Sequence, residues 1–215
     1  MRAEECVAEG SRSRAAWRSA GTETLIRDGV RPDGGEPVHG AGWTRAAAGA
    51  AARAPVWADL GSGGGAFTAA MAALLGPGAT IWSVDIDARA LEAQERELAR
   101  RYPSVKLRTL SADFTGDLEL PQLDGMVLAN SLHFQADPCA VLARLAKMLA
   151  PAGRVIIVEY DIQKANTWVP HPIPFSSLPA LADCAGLSPP ALLERRPSRY
   201  HGSMYSVVLP ARLAQ

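Results

Sequence analysis

Residues Val56–Thr68 read VWADLGSGGGAFT. Val56 and Trp57 favour extended backbone, whereas the Ala/Leu/Met-rich run from Phe67 to Leu75 favours helix. Between them stand Asp59, Gly61, Ser62, Gly63, Gly64 and Gly65. Glycines there permit positive φ and let a ligand approach the main chain closely. The helix that follows presents unpaired N–H groups and a partial positive charge at its N-terminus. Strand, glycine turn and helix in this order make a cradle for a nucleotide-type cofactor.

Downstream of this stretch, strand and helix signals alternate. Gly76-Pro77-Gly78 forces a turn, and Thr80–Asp85 (TIWSVD) reads as a strand. A helix over about 88–101 places Leu91, Gln94 and Leu98 on one face and the pairs Glu92/Arg96 and Glu97/Arg101 outside. Strands are expected over 105–110 and 125–129. Asp137-Pro138 caps and starts a helix with an apolar stripe of Val141, Leu142, Leu145, Met148 and Leu149, closed by Pro151-Ala152-Gly153. Arg154–Tyr160 (RVIIVEY) suits a strand covered on both faces. A proline-rich loop over 162–175 leads to a helix capped by Ser176 or Ser177, then to strands over 192–196 and 204–209. Such alternation predicts an α/β fold with a doubly wound, mostly parallel sheet and a ligand at the carboxyl ends of its strands. The short segment 197–204 allows only a hairpin return, so the last strand is expected to run antiparallel.

The regular pattern defines an expected catalytic domain over 55–215. Residues 1–54 read as an extension with short helices: Thr22–Asp28, then a Gly/Pro loop, then alanine-rich Thr44–Ala54. Its Glu36–Pro55 portion, with Trp43, is a candidate substrate cap or an insertion without fixed structure. Acidic and basic residues balance at 22 each, which leaves no electrostatic footprint for nucleic acid or an anionic membrane. Arg2, Arg12, Arg14 and Arg18 read as a solvated basic tail. No apolar run approaches the ~20 residues of a membrane span, and residues 1–20 lack the apolar core of a secretory signal. The three cysteines, Cys6, Cys139 and Cys184, are widely separated. Their spacing implies neither a disulfide framework nor a zinc site, and a reducing cytoplasm is the expected location. A monomer or homodimer is expected, with no metal.

Two cofactors compete for the cradle. Gly61-Ser62-Gly63-Gly64-Gly65-Ala66 satisfies the GxGxxA dinucleotide fingerprint, and Asp85 lies 20 positions after Gly65 at a strand end, where it suits a ribose diol. This reading yields an NAD-binding oxidoreductase. The other reading uses more of the chain. Asp59-x-Gly61-x-Gly63-x-Gly65 resembles the first motif of the class I S-adenosylmethionine-dependent methyltransferases. In order, Asp85 in SVDID resembles that family's ribose-binding acid, and Asp113-Phe114 in LSADF its adenine contact. DGMVLANSLHF (124–134) resembles its fourth motif, and LAPAGRVIIVEYD its fifth strand with the preceding turn. The closing hairpin matches the family's extra seventh strand. The resemblance implies a Rossmann-like seven-stranded fold and S-adenosyl-L-methionine as cofactor. Its contacts are then Asp59, Gly61, Ser62, Gly63, Gly65, Asp85, Ile86, Asp113, Phe114 and Asn130. The chemistry agrees: Asp59 suits a cationic ammonium group and would be a poor neighbour for pyrophosphate, and the acids after strands two and three can accept ribose and adenine protons.

Methyl transfer from a sulfonium is an in-line displacement, and much of it is positioning and exclusion of water. A general base is needed only when the nucleophile carries a proton it cannot shed. His133, just past the fourth strand, is the candidate base, and a local packing role is the alternative. Tyr160 and Asp161 end the fifth strand on the same edge, where they line an acceptor pocket or simply terminate the strand. His171, with Trp168 and Phe175, lies in the proline-rich loop, and Arg199-Tyr200-His201 in the last turn. The chain carries no Asn/Asp-Pro-Pro-aromatic motif after the fourth strand and no paired-glutamate hairpin. By resemblance, these absences point to a small-molecule acceptor. A binding module without catalysis is the third reading.

Overall fold

A computed structural model describes residues 54–198, 200 and 202–212. The expected 1–54 extension, Ala54 apart, and Arg199 and His201 lie outside the described residues. Strand β1 (Val56–Leu60) leads through the glycine turn into helix α1 (Ala66–Leu75). Then follow β2 (Thr80–Asp85), α2 (Ala88–Arg101), β3 (Lys106–Ser111) and β4 (Leu123–Ala129). A 3-10 turn, Leu132–Phe134, precedes α3 (Pro138–Ala146) and the long strand β5 (Leu149–Tyr160). A second 3-10 turn, Phe175–Ser177, runs into α4 (Leu178–Cys184), and β6 (Ala191–Pro197) and β7 (Ser203–Pro210) follow it.

The seven strands form one sheet in the order β3-β2-β1-β4-β5-β7-β6. The first five run parallel, and β7 inserts antiparallel between β5 and β6. The chain reverses direction across the sheet between β1 and β4, so the carboxyl ends of those two strands form the crevice where a ligand is expected. Both faces are covered. Ala58, Leu60, Met126, Leu128, Val155 and Ile157 pack on one side against α3 and α4. Trp57, Ile81, Val127, Ile156 and Val158 pack on the other with Met71 of α1. At the close approach of β1 and β4, a Cβ on Gly125 would lie 2.5 Å from the Trp57 indole, which is why a glycine stands there.

Two expectations are corrected. Helix α3 ends at Ala146, so Met148 and Leu149 do not extend its stripe. Leu123 donates its N–H to Met148 O, and this pairing starts β5 at Leu149, with Pro151-Ala152-Gly153 inside the strand. The register shift between Leu123 and Gly125 absorbs the turn-like segment. The second correction concerns the cysteines. Cys139 in the first turn of α3 and Cys184 at the end of α4 form a disulfide, with Cα atoms 6.0 Å apart. They are 45 residues apart in sequence, and only the packing of α3 on α4 brings them together. No helix among the described residues is long and apolar enough to cross a membrane.

Candidate functional site

The glycine turn is anchored from beneath. Gly61 and Ser62 both donate their N–H groups to Val84 O, and Gly65 donates to Ser62 O. Gly61, Gly63 and Gly65 all hold positive φ, at 77°, 52° and 78°. Packing demands two of them independently: a Cβ on Gly61 would meet Ser131 Cβ at 2.6 Å, and one on Gly65 would meet Gln94 Oε1 at 2.6 Å. Gln94 projects from α2 under the loop. Its Nε2 donates to Ser62 Oγ at 3.1 Å and Gly63 O at 3.3 Å. Ser83 Oγ lies 2.7 Å from Ser62 Oγ and 2.9 Å from Gln94 Oε1, and its single proton serves one of them at a time. In sequence Gln94 is a polar residue on an otherwise apolar helix face, but no motif marks it as a loop anchor.

The three acids occupy different environments. Asp59 is buried on β1 and accepts the Thr68 hydroxyl at 2.6 Å. Burial pushes its carboxyl up to about 7, with the nearby charge of Asp85 adding to the effect. Asp85 is buried at the end of β2, where one oxygen accepts Gly63 N–H at 2.7 Å and the other Asp87 N–H at 2.9 Å. It therefore ties the glycine loop to the start of α2. Each carboxylate oxygen retains a second lone pair for a hydroxyl. Asp113 is exposed beyond β3 and caps its own turn, accepting Thr115 N–H at 2.8 Å. Phe114 beside it is buried, and its ring edge would lie 3.3 Å from a Cβ on Gly61. Arg144 of α3 donates to Phe114 O at 3.1 Å, fixing this corner.

Two features of this edge fit a bound adenosyl sulfonium. Ile86 follows the buried Asp85 yet is 52% exposed, an apolar face standing at the ligand end of the sheet. Asn130, at the end of β4, is held at φ 52°, and its buried Oδ1 has no hydrogen-bond partner among the described residues. A non-glycine residue in this conformation and an unsatisfied buried acceptor both carry a cost that a cationic donor such as an ammonium group can offset. The donor set thus fits a ribose at Asp85, a planar base near Ile86, Asp113 and Phe114, and an ammonium group toward Asn130.

Beyond β4 the chain builds a second cluster. His133 and Glu159 are 3% and 1% exposed. His133 Nδ1 lies 2.6 Å from Glu159 Oε2, and the His133 main-chain N–H donates to Glu159 Oε1 at 3.2 Å. The His133 carbonyl accepts the His171 N–H at 3.0 Å, which draws the proline-rich loop over the cluster. His171's side chain itself is exposed. The Tyr160 ring lies 6.4 Å from the His133 ring, and Phe134 lies 4.4 Å from it on the outer side. Burial, with the Glu159 charge adding, pushes the Tyr160 phenol up, so at neutral pH it keeps its proton. Asp161 holds structure together: it accepts Phe175 N–H at 3.0 Å and pairs with Arg195 at 3.2 Å. Trp168, Tyr200 and Phe134 are exposed aromatics on the loops beyond β4, β5 and β6. Glu159 lies within LAPAGRVIIVEYD, but sequence reading gives it no role of its own. Its one signal is an acid in the apolar run RVIIVEY, which a doubly covered strand does not tolerate without a partner.

Residues 58–155 match the family model described as a methyltransferase domain. The ubiquinone biosynthesis O-methyltransferase of Thiobacillus denitrificans is 31% identical over 97 residues, 45% of this chain. That match spans 40% of the relative's length. Among solved structures, the Burkholderia thailandensis 1,6-didemethyltoxoflavin-N1-methyltransferase, with 1,6-didemethyltoxoflavin and S-adenosylhomocysteine bound, superposes with a TM-score of 0.69 at 20% identity. The superposition covers 98% of this chain and 87% of that one. A SAM-dependent methyltransferase from Aquifex aeolicus gives a TM-score of 0.58 at 14% identity over 74% of this chain and 84% of that one.

Proposed function

We propose that this chain, which belongs to the class I S-adenosylmethionine-dependent methyltransferases, transfers a methyl group from S-adenosyl-L-methionine to a small-molecule acceptor by in-line displacement. The observation that carries the reading is the pinned glycine loop. Asp85 clamps Gly63 from one side, while Ile86 and the unsatisfied Asn130 Oδ1 stand at the same edge. When bound, the cofactor supplies an electrophilic methyl on a positively charged sulfur.

In this reading Asp85 accepts the ribose hydroxyls, and Ile86 and Phe114 flank the adenine with Asp113 toward its amino group. Gly61, Ser62, Gly63 and Gly65 let the main chain approach the amino-acid end. Asp59, beneath that turn, supplies negative charge toward the ammonium group, and Asn130 Oδ1 accepts from it. The acceptor lies beyond β4 and β5, with the exposed aromatics Phe134, Trp168 and Tyr200 offering faces to a flat or apolar molecule. A small acceptor also agrees with the relatives, one named for ubiquinone biosynthesis and one holding 1,6-didemethyltoxoflavin. Residues 55–215 act as the catalytic domain, and 1–54 is an extension that can cap the acceptor. The chain acts as a monomer or homodimer in this reading, while the Cys139–Cys184 bridge removes the cysteine argument for a reducing cytoplasm.

Isothermal calorimetry of the full chain with S-adenosylmethionine, S-adenosylhomocysteine and NAD tests the cofactor assignment. Micromolar binding of the adenosyl sulfonium and its demethylated product is expected. Binding of NAD alone would overturn it in favour of an oxidoreductase. Release of S-adenosylhomocysteine with pooled small molecules separates an enzyme from a binding module.

A further inference from the structure

We propose that the Cys139–Cys184 bridge is a reversible dithiol-exchange site, attacked at Cys184 and released at Cys139, that sets how firmly α4 and the loop before it are held over the His133–Glu159 cluster. Neither the site nor its test depends on the methyltransferase reading.

The two sulfurs are unequal. Cys184, the last residue of α4, is exposed, whereas Cys139 is half-buried against the core. An incoming thiolate therefore reaches the Cys184 sulfur first. Cys139 is the second residue of α3, a nine-residue helix, directly after Pro138. The unpaired N–H groups and partial positive charge of that first turn favour a thiolate there, and a sulfur that is more stable as thiolate leaves faster. The Asp137 carboxylate caps the same turn, accepting Ala140 N–H at 2.9 Å, and takes up one of those donors. Cys184 sits instead at a helix C-terminus, among carbonyl oxygens, where negative charge is disfavoured. Its neighbour Asp183 pairs with Arg212 at 2.9 Å, so that cation is already engaged. Access and charge thus select the same direction.

In the first step the thiolate of a dithiol attacks Cys184 Sγ. A bond forms between those two sulfurs, and the electron pair of the broken Cys139–Cys184 bond stays on Cys139. In the second step the dithiol's other thiolate attacks the mixed disulfide, and Cys184 leaves as a thiolate. The dithiol is oxidised to its own disulfide, the cysteine pair gains two electrons, and the protons of the dithiol pass to the cysteines or to water.

Opening the bridge matters most for α4. This helix spans seven residues, too few to stand alone, and Ser177 gives it no side-chain cap. Buried Leu178, Leu181 and Ala182 anchor it together with the bridge. The loop that feeds it is tied by Phe175 N–H to Asp161, by the Tyr205 hydroxyl to Ile173 O and by His171 N–H to His133 O. Loosening of α4 passes first to Phe175–Ser177 and then to these ties. Helix α3 depends less on the bridge, because Asp137 caps it and Arg144 fastens it to Phe114 O. Strand β5, although it lies inside the bridged span, is paired on both sides by β4 and β7.

The test uses the full chain with Cys6→Ser, which removes the third cysteine from exchange. Native protein incubated with reduced glutathione, quenched in acid and mapped by peptide mass spectrometry should carry the adduct on Cys184 and a free thiol on Cys139. In dithiothreitol, amide hydrogen exchange should rise by at least about tenfold over 171–184, leave β4 and β5 unchanged, and return on reoxidation. Adducts mainly on Cys139, a bridge that opens only in denaturant, no rise over 171–184, or an equal rise in β4 and β5 would each overturn the proposal. Alkylation rates against pH in Cys184→Ser and Cys139→Ser, in the same background, check the direction apart from access. The half-maximal rate is expected at lower pH for the Cys139 thiol, and the reverse order would overturn the assignment.

Discussion

The side-chain amide of Gln94 occupies the space that a Cβ on Gly65 would need, with only 2.6 Å between Oε1 and the point where an alanine would place its methyl carbon. Gly65 is also the N-cap of α1, at φ 78°. A glycine of the loop and a glutamine of α2, separated in the chain by α1 and β2, are thus a single packing unit that holds the cradle open.

Gly65→Ala is expected to destabilise the fold by about 1–3 kcal/mol, from left-handed strain and the clash together. Moving the amide away is no remedy, because Gln94 Cβ would still stand 2.9 Å off and the bonds to Ser62 and Gly63 would be lost. Urea unfolding of Gly65→Ala, Gln94→Ala and the double variant checks this. Because the residues touch, the double variant should depart from additivity by at least about 0.5 kcal/mol.

Asp85→Ala should weaken S-adenosylhomocysteine binding by about 1–3 kcal/mol, the size of a lost charged hydrogen bond. Because Asp85 also holds Gly63 N–H, the variant should lose some thermal stability as well. Calorimetry paired with a melting curve measures both. Unchanged affinity with a lowered Tm would assign Asp85 to loop anchoring alone.

Asp59 makes stability depend on pH in a defined direction. Its carboxyl is pushed from 3.8 up to about 7, so between those values the folded state holds a proton that the unfolded state has released. Stability contributed at low pH is therefore lost as pH rises from about 4 to 7, by at most ~1.4 kcal/mol per pH unit. Asp59→Asn should flatten this segment of the unfolding free energy against pH. A cationic cofactor near Asp59 favours its ionised form, so S-adenosylmethionine affinity should rise with pH up to about 7 in wild type and not in Asp59→Asn.

The Cys139–Cys184 bridge joins α3 to α4 across 45 residues. Reduction should lower stability by about 2–4 kcal/mol, chiefly by freeing the unfolded chain. Thermal melts with and without dithiothreitol test it. Cys184→Ser should melt like the reduced wild type and ignore the reductant.

Much of this protein is legible in its sequence because the signals are local. A strand, a glycine turn and a helix follow from residues within VWADLGSGGGAFT, and the alternation after it dictates a parallel sheet by the chirality of crossovers. The hairpin return of β7 follows from a connection too short for a helix. The strand-end acids Asp85 and Asp113 are found the same way, since each lies at the end of its own element or just past it. What only the tertiary structure decided are the relationships between distant residues. Gln94 under Gly65, Glu159 on His133 and Cys139 on Cys184 are set by which elements pack together and in what register, over separations that no periodicity encodes. The same holds for the acids' separate states. Asp59, Asp85 and Asp113 are one residue type in sequence, but burial raises the first, two main-chain N–H groups engage the second, and exposure leaves the third at the surface. Desolvation is a property of the packed molecule, and it is there that the glycine stretch acquires its chemistry.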